Sequence, residues 1–289
     1  MTLEDVIFSQ LTNRCRRNNV EANFSPVGGE KGLFLTNTAV EAGEIVFEEY
    51  PVGTTAVAYF STRERVCANC VRPVVHTRCA CGELYCSEQC MDWAARLYHK
   101  KLCTATNEFM RQYFEIAERS SNEYYIVAAR LLCLFPNAPW LHHFCCPEWT
   151  QLDHESPPED LQAETDAMAR LLRCALKSDT SPEVLSRTIG MLRVNVLSLR
   201  FEDDMLGFAL YSTQSLMNHS ADPNCRCVTM SSEASPNNPC LCGIEALRPI
   251  QPGEELTIDY LANMFGEDRR RVLDKQYGIT EGGRKDSSS

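Results

Sequence analysis

Apolar positions in residues 23–59 fall in short runs, among them Gly32-Leu33-Phe34 and Ile45-Val46-Phe47, parted by the turn Glu41-Ala42-Gly43-Glu44. Runs of this length between glycine-bearing turns predict a small antiparallel sheet. From residue 104 to about 135 the spacing changes. Phe109, Tyr113, Ile116 and Ala117, then Tyr125, Ala128, Leu131 and Leu132, recur near 3.6 and predict helices. An irregular stretch, 136–158, leads to a helix expected at about 159–177. A further helix is expected to start with Ser181 as N-cap and Pro182 at the first helical position, running to about Ser198. From Met205 onward short strands return, with turns at Pro236-Asn237-Asn238-Pro239 and Pro252-Gly253, and the polar tail 282–289 reads as disordered. Strands, then helices, then strands again, with no internal repeat, imply one β-rich domain interrupted by two insertions.

Composition narrows the class. At 289 residues, 44% hydrophobic and 23% charged, the chain is long enough for one large domain or two ordinary ones. The best apolar stretch, 126–135, carries Arg130 and is too short to cross a bilayer, so no membrane span is expected. The opening Met1-Thr2-Leu3-Glu4-Asp5 has acids where a leader would have bases, which points to the cytoplasm or the nucleus. A net charge of −11 argues against direct nucleic-acid binding, and suits either basic protein ligands or simple solubility.

Seven of the sixteen cysteines lie between Cys67 and Cys103, which reads as metal ligation. The spacing is Cys67-x2-Cys70, Cys79-x-Cys81, Cys86-x3-Cys90 and His99-x3-Cys103. Four close pairs of thiolate or imidazole donors are what two tetrahedral zinc sites need, each ion held by two clips. These residues, with Tyr85-Cys86-Ser87 and Asp92-Trp93 before His99, resemble the MYND zinc finger. Its interleaved pairing implies Cys67, Cys70, Cys86 and Cys90 on one ion, and Cys79, Cys81, His99 and Cys103 on the other. One departure is the single residue, Ala80, inside the second pair, where two are usual; His76 is a substitute candidate.

Three further segments carry chemistry. They are the turn Lys31-Gly32-Leu33, the string Met217-Asn218-His219-Ser220-Ala221-Asp222-Pro223-Asn224-Cys225, and Pro252-Gly253-Glu254-Glu255-Leu256-Thr257-Ile258-Asp259-Tyr260. In this order they resemble the SET domain, and the stretch holding Gly190 and Asn195 looks like that family's insert. The resemblance implies an α+β fold, a β-rich SET domain split by a MYND finger and a helical insert. Its parts would be 20–66 for the N-terminal SET strands, 67–103 for the finger, 104–200 for the insert, 201–262 for the SET core and 263–289 for a divergent segment and tail. It further implies methyl transfer from S-adenosylmethionine to a lysine side chain of a protein. Lys31 and Gly32 would meet the cofactor through backbone, Asn195 through its side chain, and Asn218 and His219 through both. Tyr260 and Tyr277 would be the active-site tyrosines. The chemistry asks for such a site, because the lysine amine must be neutral and dry. Deprotonating a free lysine at neutral pH costs about 4.6 kcal/mol.

The chain also departs from that family. Ala221 stands where a cysteine is usual, and Lys275-Gln276-Tyr277-Gly278-Ile279-Thr280-Glu281 has no cysteine at all, so a third zinc is expected to be absent. The segment that closes the lysine channel would then fold without metal, come from a partner, or be lost. No C-terminal helical repeat domain is expected either, as in the short branch of the family. The competing readings are an inactive SET scaffold whose MYND finger binds proline-rich peptides, and a cofactor-binding structural subunit. Finally, Cys225-x-Cys227 and Cys240-x-Cys242 flank an expected hairpin with 225 opposite 242, which would gather four thiols on one face for a metal or a buried cluster.

Overall fold

The computed structural model describes residues 20–25, 31–35, 37–52, 55–73, 76–142, 144, 146–149, 152, 158–201, 204–229, 240–262 and 264–280. Strands β1 (Val20–Phe24), β2 (Lys31–Leu35), β3 (Ile45–Glu49) and β4 (Val57–Ala58) come first, followed by β5 (Thr77–Arg78), β6 (Leu84–Tyr85) and helix α1 (Glu88–Ala94). A wider π turn, Ala95–His99, and the short turn Lys100–Leu102 continue α1. Then come α2 (Glu108–Arg119), α3 (Tyr124–Leu134), α4 (Pro158–Leu176) and α5 (Pro182–Asn195). The chain goes on with β7 (Val196–Phe201), β8 (Asp204–Leu210), β9 (Asn218–His219), β10 (Cys225–Thr229), β11 (Cys242–Ala246), β12 (Glu255–Ile258) and α6 (Gly266–Tyr277).

The early strands do not form one sheet of their own, as their runs suggested. β1 and β2 pair as an antiparallel hairpin, but the sheet is completed by β12 and β9 in the order β1-β2-β12-β9. β3 is the edge of a second sheet, β10-β11-β3, and β4 of a third, β4-β8-β7. β2, β3 and β4 thus each find a partner from beyond residue 196. Alternation tells which face of a strand is buried, not which strand lies beside it.

The helices follow their local signals. Ser181 Oγ accepts the Val184 N–H at 3.2 Å with Pro182 in the first turn, as expected for α5. That helix stops at Asn195 rather than Ser198, because Val196 onward pairs along β8, with Val196 opposite Leu210. The run Val-Leu-Ser-Leu serves either period, and a seven-residue partner strand decides it. Helices α2 to α5 enclose a core around Tyr113, Leu131, Trp140 and Ile189. The sheets close over Leu33, Phe47, Ile244 and Leu256. A third, small core holds Tyr85, Ala94 and Tyr98. No helix among the described residues is long and apolar enough to cross a membrane.

Two further expectations change. The cysteine hairpin β10-β11 has Cys225 opposite Ala246 and Cys227 opposite Ile244, four residues out of the expected register. Cys240 precedes β11 and donates its thiol to the Cys70 carbonyl at 3.0 Å, so the four thiols do not gather into a metal site. Core residues such as Ile244 and Ala246 fix the register. In addition, the segment after residue 262 contains helix α6. The turn expected at 236–239 and the tail 282–289 lie outside the described residues.

Candidate active site and metal centres

The eight metal donors come together as two groups, Cys67, Cys70, Cys86 and Cys90 in one, and Cys79, Cys81, His99 and Cys103 in the other. Within each group the donor atoms all lie within 4.8 Å of one another. Cys70 and Cys86 sulfurs are 3.7 Å apart, and those of Cys79 and Cys103 3.9 Å. Tetrahedral zinc with bonds of about 2.3 Å requires sulfurs roughly 3.8 Å apart. All-thiolate and three-thiolate-one-imidazole sets are structural zinc donors, so both groups fit that ion. His76 is exposed and belongs to neither group.

Local structure explains the clips. Ser87 caps α1 by accepting the Cys90 N–H at 3.2 Å, which holds Cys86 and Cys90 at one helix start. The π turn at the end of α1 carries His99, whose Nε2 lies 3.2 Å from Cys79 Sγ and 3.6 Å from Cys81 Sγ. Its Nδ1 lies 2.9 Å from the Glu83 carboxylate, which also accepts the Tyr85 hydroxyl at 2.8 Å. A carboxylate behind the imidazole fixes which nitrogen faces the metal. Burial pushes the Glu83 carboxyl up, but the His99 hydrogen bond and the Arg130 charge outweigh it and leave it below its ordinary value. Glu83 was invisible in sequence, since it matches no ligand spacing.

The candidate methyl-transfer residues gather on and around the first sheet. β9 is two residues long, Asn218 and His219, and pairs in parallel with Thr257 and Ile258 of β12. The turn before it, Gln214–Leu216, is pinned by buried Glu49 of β3. That carboxylate accepts Ser212 Oγ at 2.7 Å, Thr213 N–H at 2.7 Å and Gln214 N–H at 3.0 Å.

Asn218 donates its amide to Glu255 Oε1 at 2.7 Å, and the same carboxylate accepts Ser25 Oγ at 2.8 Å. Gly32 of β2 makes room for it, since a Cβ there would stand 2.5 Å from Glu255 Oε1. Gly32, Asn218 and Glu255 thus form one polar corner carrying a negative charge. Of Lys31 the backbone is placed, opposite Phe24 in β1. Asn195 ends α5, its amide turned back to the Met191 carbonyl at 2.8 Å. Its own carbonyl accepts Ser215 Oγ at 3.4 Å, which ties α5 to the turn before β9.

Beyond the corner stand aromatic rings. His219 Nδ1 accepts the Tyr260 N–H at 3.3 Å, and the two rings lie 5.4 Å apart. Tyr260 donates its hydroxyl to the Met217 carbonyl at 2.8 Å. Tyr277 packs on Tyr260 with centroids 4.9 Å apart. Helix α6 delivers Tyr277 there without cysteines. Arg269 grips Asp259 at 2.9 Å and the Leu261 carbonyl at 2.8 Å, and Leu273 is buried. Gly278, with φ +66°, ends the helix immediately after Tyr277, and the Gly278 and Ile279 amides return to Asp274 and Leu273 carbonyls. The segment that carries Tyr277 is thus folded by this chain as helix α6.

Further rings were missed in sequence because nothing in their spacing marks them. Phe208 lies 5.1 Å from Tyr124 and 5.7 Å from Tyr59. Burial pushes the Tyr124 hydroxyl up to about 12, with Arg193 pulling it partly back and Tyr277 adding to the rise. Burial likewise raises Tyr277 against the pull of Arg193. Both hydroxyls keep their protons at neutral pH.

A family model, "SET domain", matches residues 30–261, well over half of the chain. The chain belongs to the SET domain family. With its two cysteine-rich metal groups, this SET protein is of the SET-and-MYND type. It is 47% identical to histone-lysine N-methyltransferase SMYD3 of Mus musculus over 73 residues, 25% of this chain and 15% of that protein. It is 25% identical to Mus musculus histone-lysine N-methyltransferase Smyd1 over 278 residues, covering 90% of this chain and 54% of that one. It is 21% identical to a SET and MYND domain-containing protein of Dictyostelium discoideum, over 91% of this chain and 83% of that one. The chain therefore spans about half or less of the two mouse proteins. Among solved structures, the SET domain of LSMT bound to lysine and AdoHcy shares the fold, with a TM-score of 0.51 and 13% identity over 97% of this chain and 58% of that one.

Proposed function

We propose that this SET protein transfers a methyl group from S-adenosylmethionine to a lysine side chain of a protein. The observation that carries the reading is the packing of Tyr260 and Tyr277 beside His219, at the end of the parallel β9–β12 pairing that holds Asn218. The polar corner suits a positively charged cofactor, since Glu255 supplies a carboxylate next to Asn218 and Gly32 leaves the space. Gly32, Asn218 and His219, with the Lys31 backbone and Asn195, are the residues that would hold it. When bound, the cofactor supplies an activated methyl on a sulfonium. Tyr260 donates its hydroxyl hydrogen bond to the Met217 carbonyl, so its oxygen keeps lone pairs to accept weak CH···O contacts and to orient the amine. Tyr277, Tyr124 and Phe208 offer a dry aromatic wall, which disfavours the lysine ammonium relative to the neutral amine. The similarity to proteins named histone-lysine N-methyltransferase supports the substrate class, histone or otherwise.

Tyr260→Phe is the test. Turnover of labelled methyl into protein lysine is expected to fall about 100-fold or more, the range for losing one preorganised polar group. Cofactor affinity by calorimetry should stay within about twofold of the parent. Unchanged turnover removes Tyr260 from the chemistry. Arg269→Gln is expected to lower turnover about tenfold by freeing α6 and Tyr277, with zinc content unaltered. Retained activity would mean that the Arg269–Asp259 pair does not position Tyr277.

A second reading rests on the finger. Trp93 on α1 is 51% exposed, an aromatic surface of the kind that proline-rich peptides dock on. On this reading the finger recruits partners, whether or not the SET site turns over. Cysteines clustered for metal ligation suit a reducing compartment, cytoplasm or nucleus.

A further inference from the structure

Arg193 lies on α5, two residues before Asn195. The helix face that carries it is pressed against residues 146–149. A Cβ at Gly190 would stand 1.9 Å from the Pro147 carbonyl oxygen, and Ser186 Oγ accepts the Trp149 N–H at 3.1 Å. Trp149 is buried, and the Arg193 guanidinium lies over its ring, 5.0 Å from the centroid. A guanidinium stacked on a fixed indole keeps its charge in one place.

That place is beside the aromatic wall. Burial raises the Tyr124 and Tyr277 hydroxyls, and Arg193 is the charge that pulls each of them back. Tyr124 packs on Phe208 at 5.1 Å and Tyr277 on Tyr260 at 4.9 Å, so one cation bears on both parts of the wall. The other groups around it are committed elsewhere. Glu123 opposes Arg193 at Tyr124 more weakly, and its carboxylate accepts the Phe60 N–H at 2.9 Å. The Tyr59 hydroxyl meets Ser198 Oγ at 3.3 Å, and Arg187 donates to the Cys146 carbonyl at 3.4 Å. Asp259 is paired with Arg269 at 2.9 Å, and His219 stands across Tyr260. Glu148 adjoins Trp149 in the chain.

Ring faces by themselves attract an ammonium, which is the unreactive form of the substrate lysine. A fixed cation behind the rings reverses that preference. It disfavours the ammonium and leaves the neutral amine untouched. We propose that Arg193 is a positioning residue of methyl transfer, whose fixed charge beside Tyr124 and Tyr277 keeps the bound substrate lysine in its neutral, attacking form. The proton that the lysine gives up passes to water. This inference rests on the methyl-transfer reading.

The test compares the zinc-loaded full chain with Arg193→Met and Arg193→Lys. The first readout needs no cofactor, and is calorimetric binding of a lysine-rich histone-tail peptide between pH 7 and pH 9.5. The parent should bind more tightly as the pH rises, because the free peptide then holds more neutral amine. Arg193→Met should bind about tenfold more tightly than the parent at pH 7 and lose most of that pH dependence. The second readout is methyl transfer to the same peptide. In Arg193→Met, kcat at pH 7.5 should fall about tenfold and KM with it, leaving kcat/KM within about threefold of the parent. The acid limb of kcat should move up by about one pH unit, since it reports the lysine in the bound complex. Arg193→Lys keeps the charge and should stay near parental values in both readouts. Should Arg193→Met not fold, Arg193→Gln, polar but uncharged, decides in its place. Unchanged peptide binding would overturn the proposal. So would a fall in kcat/KM that matches the fall in kcat, since Arg193 would then only hold the shape of the site. A parent that binds the peptide but transfers no methyl at any pH overturns the methyl-transfer reading, and this assignment with it.

Discussion

Stripping both zinc ions with a strong chelator is expected to unfold the finger and to lower the thermal midpoint of the whole chain. The finger's own resources are small. Its strands β5 and β6 are two residues each, and its own fully buried core is little more than Cys67, Tyr85, Ala94 and Tyr98, packed on Cys133 of α3. A core of that size does not fold a segment of this length without a staple. Structural zinc supplies on the order of 10–16 kcal/mol per ion in isolated finger peptides, more than such a core can replace. The loss spreads because the finger is welded to the rest, through Arg130 and through the Cys240 thiol on the Cys70 carbonyl. Elemental analysis should give two zinc ions per chain before treatment. Circular dichroism and thermal unfolding after treatment give the readout. A third ion would contradict the two-site assignment, and a finger that keeps its structure without metal would sink the argument from core size.

Arg130→Met is expected to cost about 3–5 kcal/mol, the usual loss when one partner of a buried charged network is removed. Arg130 is 4% exposed and projects from α3 into the junction of all three cores. It donates to the carbonyl of Ala56 just before β4 and to that of Ala68 between the first two zinc ligands, and it covers the Tyr98 ring. Methionine fills much of the volume but donates nothing, so two buried carbonyls lose a donor and Glu83 loses its nearby cation. In a domain of this size the thermal midpoint should fall by roughly 10 °C. Differential scanning calorimetry on zinc-matched samples checks it. A shift within about 2 °C would mean that the junction is held by apolar packing alone.

Much of the candidate site could be read directly from the chain. The eight zinc donors were legible because a chelating clip must be short, so ligand pairs stay close in sequence however the chain folds around them. Asn218 and His219 with Tyr260, and the glycine at 32, were legible as strings for a related reason, since backbone contacts and close approach demand particular residues at fixed offsets. The helical cores were legible because side-chain periodicity and the Ser181 cap are local.

What escaped sequence reasoning was everything fixed by distant partners. Nothing within residues 23–59 says that β2, β3 and β4 belong to three different sheets, because strand pairing is chosen by burial across the whole fold. Nothing marks Glu49, Glu83 or Glu255 among the many acids of this chain. Each became a positioning group only when donors from 37 to 230 residues away, or a histidine sixteen residues on, arrived around it. The same holds for α6. Its polar sequence gives no cue that Tyr277 will return onto Tyr260, and the Arg269–Asp259 contact that places it exists only in the folded chain. The amino-acid sequence by itself determined the metal donors, the helices and the candidate methyl-transfer residues. The tertiary structure alone decided which carboxylates stand beside them and how helix α6 brings Tyr277 onto Tyr260, because those depend on groups that meet only when the chain is packed.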